Sequence, residues 1–452
     1  MNKQHRELEA LRSDAGEIFR GCLVAVDPYK AVKRFVHLKG ESLMLGMEGR
    51  PDTGLDLTGF DRILIVGAGK ATAPMVRAIE EIFGKKIQKG VVNLKYGFTE
   101  ELAITEIIEA GHPVPDKNGL KGTAQILDLL QGAGEKDLIF SLISGGGSAL
   151  LPYPVGNILL SEKQDITRAL LACGASINEI NAVRKHISSS KGGQMARAAF
   201  PATIVNLMLS DVVGDKMDVI ASGPFVPDSS TFRDVQGIFA KYDLKGIPAA
   251  INEHVKAGAD GKIPETPKAN DAVFDRVLNF IVGSNILALE AAKAKARELG
   301  YETIILSSMV EGETREVALV HTAIAKEIVK TGRPIPPPAC IISGGETTVT
   351  IRGQGLGGRN QEFGLAAALD LVDLPPRVVV LSGGTDGNDG PTDAAGAVVD
   401  PFTVMRGRDA GMEAARFLED NDAYHFFEKT KDLLMTGPTN TNVMDVRLVL
   451  VG

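Results

Sequence analysis

Three apolar segments of this chain end in the same tripeptide. LIFSLI runs into Ser144-Gly145-Gly146, ACII into Ser343-Gly344-Gly345, and VVVL into Ser382-Gly383-Gly384. Short unbroken apolar runs of this kind suit strands buried on both faces of a parallel sheet. Parallel strands need crossover connections, and helical patterns do alternate with them here. RILIVG (62–67) reads as a strand and APMVRAIEEIFG (73–84) as a helix closed by Gly84. GVVNL (90–94), ITEIIEAG (104–111) and DLIFSLI (137–143) read as further strands, with a helix over KGTAQILDLLQ. The expected fold class is α/β with a doubly wound sheet.

Before the alternation begins, Leu8, Leu11, Ile18, Phe19, Cys22, Leu23 and Val26 recur at helical spacing, which predicts an amphipathic helix ending before Pro28. GADGKIPETPKAN (258–270) is polar, carries prolines and has no periodicity, so it reads as a linker. Beyond it the alternation restarts with VLNFIVGS, a helix over NILALEAAKAKARELG, YETIILSS and a helix near 313–330. TGRPIPPPA (331–339) reads as a rigid loop and DVRLVLVG as a closing strand. Two domains are expected, 1–262 and a smaller 270–452.

The tripeptides have two readings. Glycine can merely supply positive φ in a tight turn. At the carboxyl end of a buried strand it also lets backbone N–H groups approach an anion, and ligands of open α/β sheets bind there. Three such turns favour the second reading. The chain has 50 glycines in 452 residues, above the usual ~7%, and many fall in these places.

Gly67-Ala68-Gly69-Lys70 follows the first of these strands and opens a helix. It fails as a dinucleotide fingerprint, because Thr72 stands at the last glycine position and Lys95 where an acid should hold a ribose. What remains is a lysine at a helix N-terminus, where a cation is disfavoured unless an anion meets it. NAVRKHISSSKGGQMA (181–196) gathers Arg184, Lys185, His186 and Lys191, either a carboxylate or phosphate clamp or a solvated helix face. His112 in GHPVPD reads as fixing a turn. No Ser-His-Asp system and no zinc spacing is present.

The second half carries GQGLGGRNQE (353–362), which delivers Arg359, Asn360 and Glu362 onto a helix, and SGGTDGNDGPTDAAGA (382–397), with Asp386, Asp389 and Asp393. Closely spaced aspartates on a glycine loop suit Mg²⁺, a hard cation that takes carboxylate and phosphate oxygens. A Ca²⁺ loop or a cluster of Asx turns is the alternative. TGPTNTN (436–442) is another small, anion-friendly turn.

With 49 basic and 57 acidic residues the net charge is −8. That argues against general nucleic-acid or anionic-membrane binding, but not against a small anion in a locally positive cleft. The three scattered cysteines form no C-x-x-C, and no apolar run is long enough to span a bilayer. A cytoplasmic protein is expected.

GAGKA, GHPVPD, LISGGGSALL, NAVRKHISSSKGG, LSDVVGD (209–215), ASGP (221–224), GGRNQE, SGGTDGNDGPTDAAGA and TGPTNTN, in this order over nearly the whole chain, resemble the glycerate kinases with a MOFRL C-terminal domain. These are the glycerate 2-kinases, once widely labelled hydroxypyruvate reductases. The resemblance implies ATP- and Mg²⁺-dependent phosphorylation of D-glycerate to 2-phosphoglycerate. It also implies a Rossmann-like N-terminal domain, a MOFRL-type α/β C-terminal domain and an active site in the cleft between them. It carries active-site roles to Lys70 and Arg359. The residues themselves suggest that Gly67, Gly69, Ser144, Gly145, Gly146, Gly147, Ser148, Ser343, Gly344 and Gly345 cradle phosphate or nucleotide. Arg184, Lys191 and Asn360 would contact glycerate, and Asp386 and Asp393, or else Glu346 and Asp211, would hold the metal. An NAD(P)H-dependent hydroxypyruvate reductase is the rival reading, and a homo-oligomer is left open.

Overall fold

The computed structural model describes residues 3–46 and 53–452. The chain divides into two compact units, one of residues 28–282 and one of residues 1–27 with 283–452. The first is built on a six-stranded sheet in which Thr105–Ala110, Ile87–Lys95, Arg62–Ala68, Asp137–Ile143, Thr203–Leu209 and Val277–Gly283 lie side by side in that order. Each pairing from Thr105–Ala110 to Thr203–Leu209 is parallel. Counted along the chain, the order is 3-2-1-4-5-6, that of a doubly wound sheet. Asp137–Ile143 and Thr203–Leu209 are buried at every position, as unbroken apolar runs require. The order reverses between Arg62–Ala68 and Asp137–Ile143, so their carboxyl ends open the crevice where such sheets take ligands.

The second unit has a mixed sheet. Its closing strand Asp445–Val451 lies between Ala339–Gly345 and Val378–Gly384, antiparallel to both. Asp445 is therefore opposite both Gly345 and Gly384, and Arg447 opposite both Ser343 and Ser382. Two of the three tripeptides thus converge on one aspartate and one arginine.

The units divide differently from the expected domains. The predicted helix forms as Lys3–Ala25 and buries Leu8, Leu11, Ala15, Ile18, Phe19 and Cys22. It belongs to the second unit, where a side chain at Gly383 would strike the Phe19 ring. VLNFIVG does not restart the alternation but completes the first sheet as its edge strand. Nor is 258–270 a solvated linker. Thr266 is buried and donates to Asp228 at 2.9 Å, and Glu265 lies 3.1 Å from His186. The polarity of this segment serves a buried network. The sequence reading also missed the helix Pro28–Phe35 and a three-stranded antiparallel sheet of Val36–Lys39, Ser42–Leu45 and Thr53–Asp56. Among the described residues no helix is long and apolar enough to cross a membrane.

Candidate active site

In the first unit the turns after Arg62–Ala68 and Asp137–Ile143 interlock. The Lys70 N–H donates to Gly145 O at 2.9 Å, the Ser144 N–H to Ala68 O at 3.1 Å, and the Ala71 N–H to Ser144 Oγ at 3.0 Å. Ser144 thereby satisfies a free donor at the start of the helix Thr72–Phe83 and fixes the turn that carries Lys70. Gly69 has φ +148°, and a Cβ there would lie 2.0 Å from Ser144 Oγ. Gly69→Ala should therefore force the turns apart, at ~1–3 kcal/mol for the backbone strain alone, with reduced turnover. Thermal unfolding and steady-state kinetics on the variant check this.

Gly145 leaves no space for a side chain because Asp211 lies against it, and Gly146 is flanked by His112 and Lys70. Burial, then Lys70 and Lys95, push the His112 imidazole down to about 4, so it is neutral at pH 7. Sequence reading treated His112 as a turn residue. The structure places it beside the lysine in a positive environment.

Next to this turn is a strained one. Ala221, Ser222 and Gly223 have φ of 51°, 61° and 62°, a conformation that costs non-glycine residues ~1–3 kcal/mol each. The N–H groups of Gly192 and Gly193 pin it through the carbonyls of Ser222 and Gly223, at 2.9 and 2.8 Å. Ser222 Oγ is held 2.9 Å from Ser148 Oγ and 3.1 Å from Asn181 Oδ1. Lys191, buried, donates to Ser148 O at 2.7 Å. Burial first, then Lys163 and Arg184, take the Lys191 ammonium well below its usual range, and burial lowers Arg184 as well. Lys70, Ser144–Ser148, Arg184, Lys191 and Asp211 thus belong to one region of one unit.

The second unit holds Arg359 at the start of the helix Arg359–Leu371. Its Nε and Nη2 donate to the two oxygens of Asp445 at 2.8 and 3.1 Å, and its Nη1 to Glu346 at 2.7 Å. Burial opposes the charge on Arg359, but Asp445 and Glu346 outweigh it and its pKa is raised. Asp445 also receives Arg447 at 2.9 Å. Neither Asp445 nor Arg447 was picked out from the sequence, although both sit in the apolar run DVRLVLV, where charges are conspicuous.

Several expected contacts turn out to be internal. Asn360 donates to Asp389 and Asp445 and accepts from Ser382 at 2.6 Å, which leaves it no free donor for substrate. Asp389 accepts the N–H groups of Asn360 and Gln361 at 3.0 and 2.8 Å, capping that helix. Ser343 Oγ lies 2.7 Å from His321 Nε2. His321 Nδ1 must donate to Val317 O, so the serine donates to the ring. Gly344 is a close-packing position against Asn285 Oδ1, and Gly345 against the backbone of Val310. The tripeptides at 343 and 382 pack closely, and the cations beside them, Arg447 and Arg359, are paired with Asp445.

Among the described residues no three His, Cys, Asp or Glu side chains are gathered as a metal site. Asp393 is exposed and accepts the Tyr424 hydroxyl at 2.8 Å. Burial raises the Glu346 carboxyl, and Asp445 and Asp386 add to the rise. Glu346 and Asp386 therefore form part of an acidic group around Arg359. Hard oxygen donors of this kind fit Mg²⁺, which takes one or two carboxylates and completes its shell with phosphate and water.

Cationic side chains at the switch point of an open parallel sheet suit an anionic ligand, an arrangement found in phosphate-handling α/β proteins. Residues 14–256 match a domain of unknown function, DUF4147, and residues 339–445 match the MOFRL family. The chain is 42% identical over 444 residues to a D-glycerate 2-kinase of Thermotoga maritima, covering 98% of this chain and 99% of that one. It is 40% identical over 429 residues to a glycerate 2-kinase of Pyrococcus horikoshii, covering 94% of each. The crystal structure of glycerate kinase from Thermotoga maritima superposes with a TM-score of 0.87 at 41% identity, over 98% of this chain and 100% of that one. The chain belongs to the MOFRL-type glycerate kinase family.

Proposed function

We propose that the chain transfers the γ-phosphoryl group of ATP to the 2-hydroxyl of D-glycerate in the cytoplasm, giving 2-phosphoglycerate. The observation that carries this reading is the Ser144–Ser148 turn, locked to the Lys70 turn at the switch point and bordered by the buried Lys191, whose ammonium bonds the Ser148 carbonyl. The family membership supplies the substrate class.

Glycerate's 2-hydroxyl oxygen bonds to the γ-phosphorus as the bond to the bridging oxygen breaks. ADP leaves with that electron pair, and the hydroxyl proton passes to solvent. Such a transfer needs positioning and charge compensation more than covalent help. Lys70 meets charge on the transferred group, and backbone N–H groups of the 144–148 turn hold phosphate. Arg184 and Lys191 grip the glycerate carboxylate. Arg359, the family's other active-site position, keeps its Asp445 side fixed and has its remaining arm held near the surface by Glu346, which is 44% exposed, where a phosphate oxygen can replace the carboxylate. Mg²⁺ on Glu346 and Asp386, or on Asp211 beside the turn, would neutralise phosphate charge when bound.

Phosphorus NMR on purified protein with D-glycerate, ATP and Mg²⁺ should show 2-phosphoglycerate and ADP. NADH with hydroxypyruvate, run in parallel, should stay unreacted. NADH oxidation without ADP formation would replace the kinase reading with the reductase one.

A further inference from the structure

The helix Leu160–Ala172 contributes a cation that neither the motifs nor the family match assigns. Lys163 is 5% exposed, and its ammonium donates to Ser188 Oγ at 2.9 Å. Ser188 lies 3.1 Å from Ser190 Oγ, and Lys191, 1% exposed, follows directly and donates to Ser148 O. Lys163, Arg184 and Lys191 are close enough to oppose one another's charge.

The other charged groups on the two helices that carry them are engaged elsewhere. On the adjoining helix Ile177–His186, Lys185 bonds Asp218 and Asp228, His186 faces Glu265, and Glu179 bonds Lys241. On its own helix, Glu162 accepts the Leu159 N–H and Asp165 pairs with Arg168. Arg184 and Lys191 are therefore the charged groups that face Lys163. Burying like charges together without a counterion is unfavourable unless a ligand supplies one.

We propose that Lys163 is a specificity-determining residue that joins Arg184 and Lys191 in a three-cation pocket for the carboxylate of the acceptor substrate, so that the enzyme takes up the acid and rejects an uncharged polyol. This rests on the glycerate kinase reading above. Burial, then Arg184, push the Lys163 ammonium down to about 7. An arriving carboxylate favours the charged form, so binding above pH 7 should draw a proton into the pocket.

The test uses the full chain and three proteins: wild type, Lys163→Met and Lys163→Arg, with thermal unfolding to confirm that each folds. Calorimetry of D-glycerate binding at pH 8, repeated in buffers of different ionisation enthalpy, reads proton uptake, and kinetics read KM and kcat separately. Wild type should take up protons with glycerate, as much as ~1 of them on Lys163. Lys163→Met should lower that uptake and raise the glycerate KM by ~10–100-fold, the loss of a charged hydrogen bond, with the KM for ATP unchanged. Lys163→Arg, always charged, should keep the KM near wild type yet take up less proton than wild type, Lys191 supplying what remains. A wild-type KM for glycerate in Lys163→Met, or no proton uptake by wild type, overturns the pocket. If wild type forms no phosphoglycerate, the reaction assignment fails instead. The pocket is then judged on inorganic phosphate and 2-phosphoglycerate, where Lys163-dependent proton uptake upholds it and its absence overturns it.

Discussion

Lys70→Ala and Arg359→Ala should each lower kcat by ~10³–10⁵, the range seen when a cation that stabilises phosphoryl transfer is lost, while the protein still folds. The two side chains are held quite differently. Lys70 sits on a turn whose bonds are made by the backbone and by Ser144, so truncating it removes charge and leaves the turn intact. Arg359 is embedded in an ion-pair group, yet Asp445 keeps Arg447 at 2.9 Å and Asn360 at 2.9 Å after Arg359 is gone. Rate measured at saturating glycerate and ATP, alongside the melting temperature, separates chemistry from folding. Arg359→Lys should recover only part of the rate, because an ammonium cannot hold Asp445 through two parallel bonds. Near-normal turnover in either alanine variant would remove that residue from the proposed mechanism.

The strands from Arg62–Ala68 to Asp137–Ile143 and the helices between them were legible because their apolar runs and periodicities are set by burial, which local sequence records directly. Gly84 does close its helix, with φ 51°. The glycine turns at 67–69 and 144–147 were legible as turns for a related reason: glycine next to a strand end is needed whether the backbone meets a ligand or a neighbouring turn. That double use also explains the failures. Ser343-Gly344-Gly345 looks like Ser144-Gly145-Gly146 in sequence, but the strand inserted beside it comes from residues about a hundred positions later, and its glycines make space for Asn285 and the Val310 backbone. Asp389 stood in sequence as one of three aspartates on a glycine loop, and it is a helix cap reached from a distant loop. Lys163 carried no signal at all. It lies in an ordinary-looking helix, and only the fold sets it against Arg184 and Lys191.

Asp445→Ala is expected to destabilise the second unit by ~3–5 kcal/mol, the cost of breaking a buried ion pair from one side. Asp445 is fully buried, and three groups depend on it: Arg359 through two bonds, Arg447 through one, and Asn360 through another. Arg359 would retain Glu346, which is partly solvated. Arg447 would not be so served. It is 1% exposed, two of its nitrogens already lack partners, and burial lowers its pKa. Without Asp445 it keeps the Thr347 hydroxyl at 2.9 Å and the Phe363 ring at 5.4 Å. Asp445→Asn preserves shape and part of the hydrogen bonding, so its loss should be smaller. Arg447→Met together with Asp445→Ala should recover part of the loss by removing the stranded charge. Urea unfolding of the three variants measures these differences. If Asp445→Ala melted like the wild type, the bonds to Arg359 and Arg447 would contribute no net stability, and the role of Asp445 would be confined to aiming Arg359.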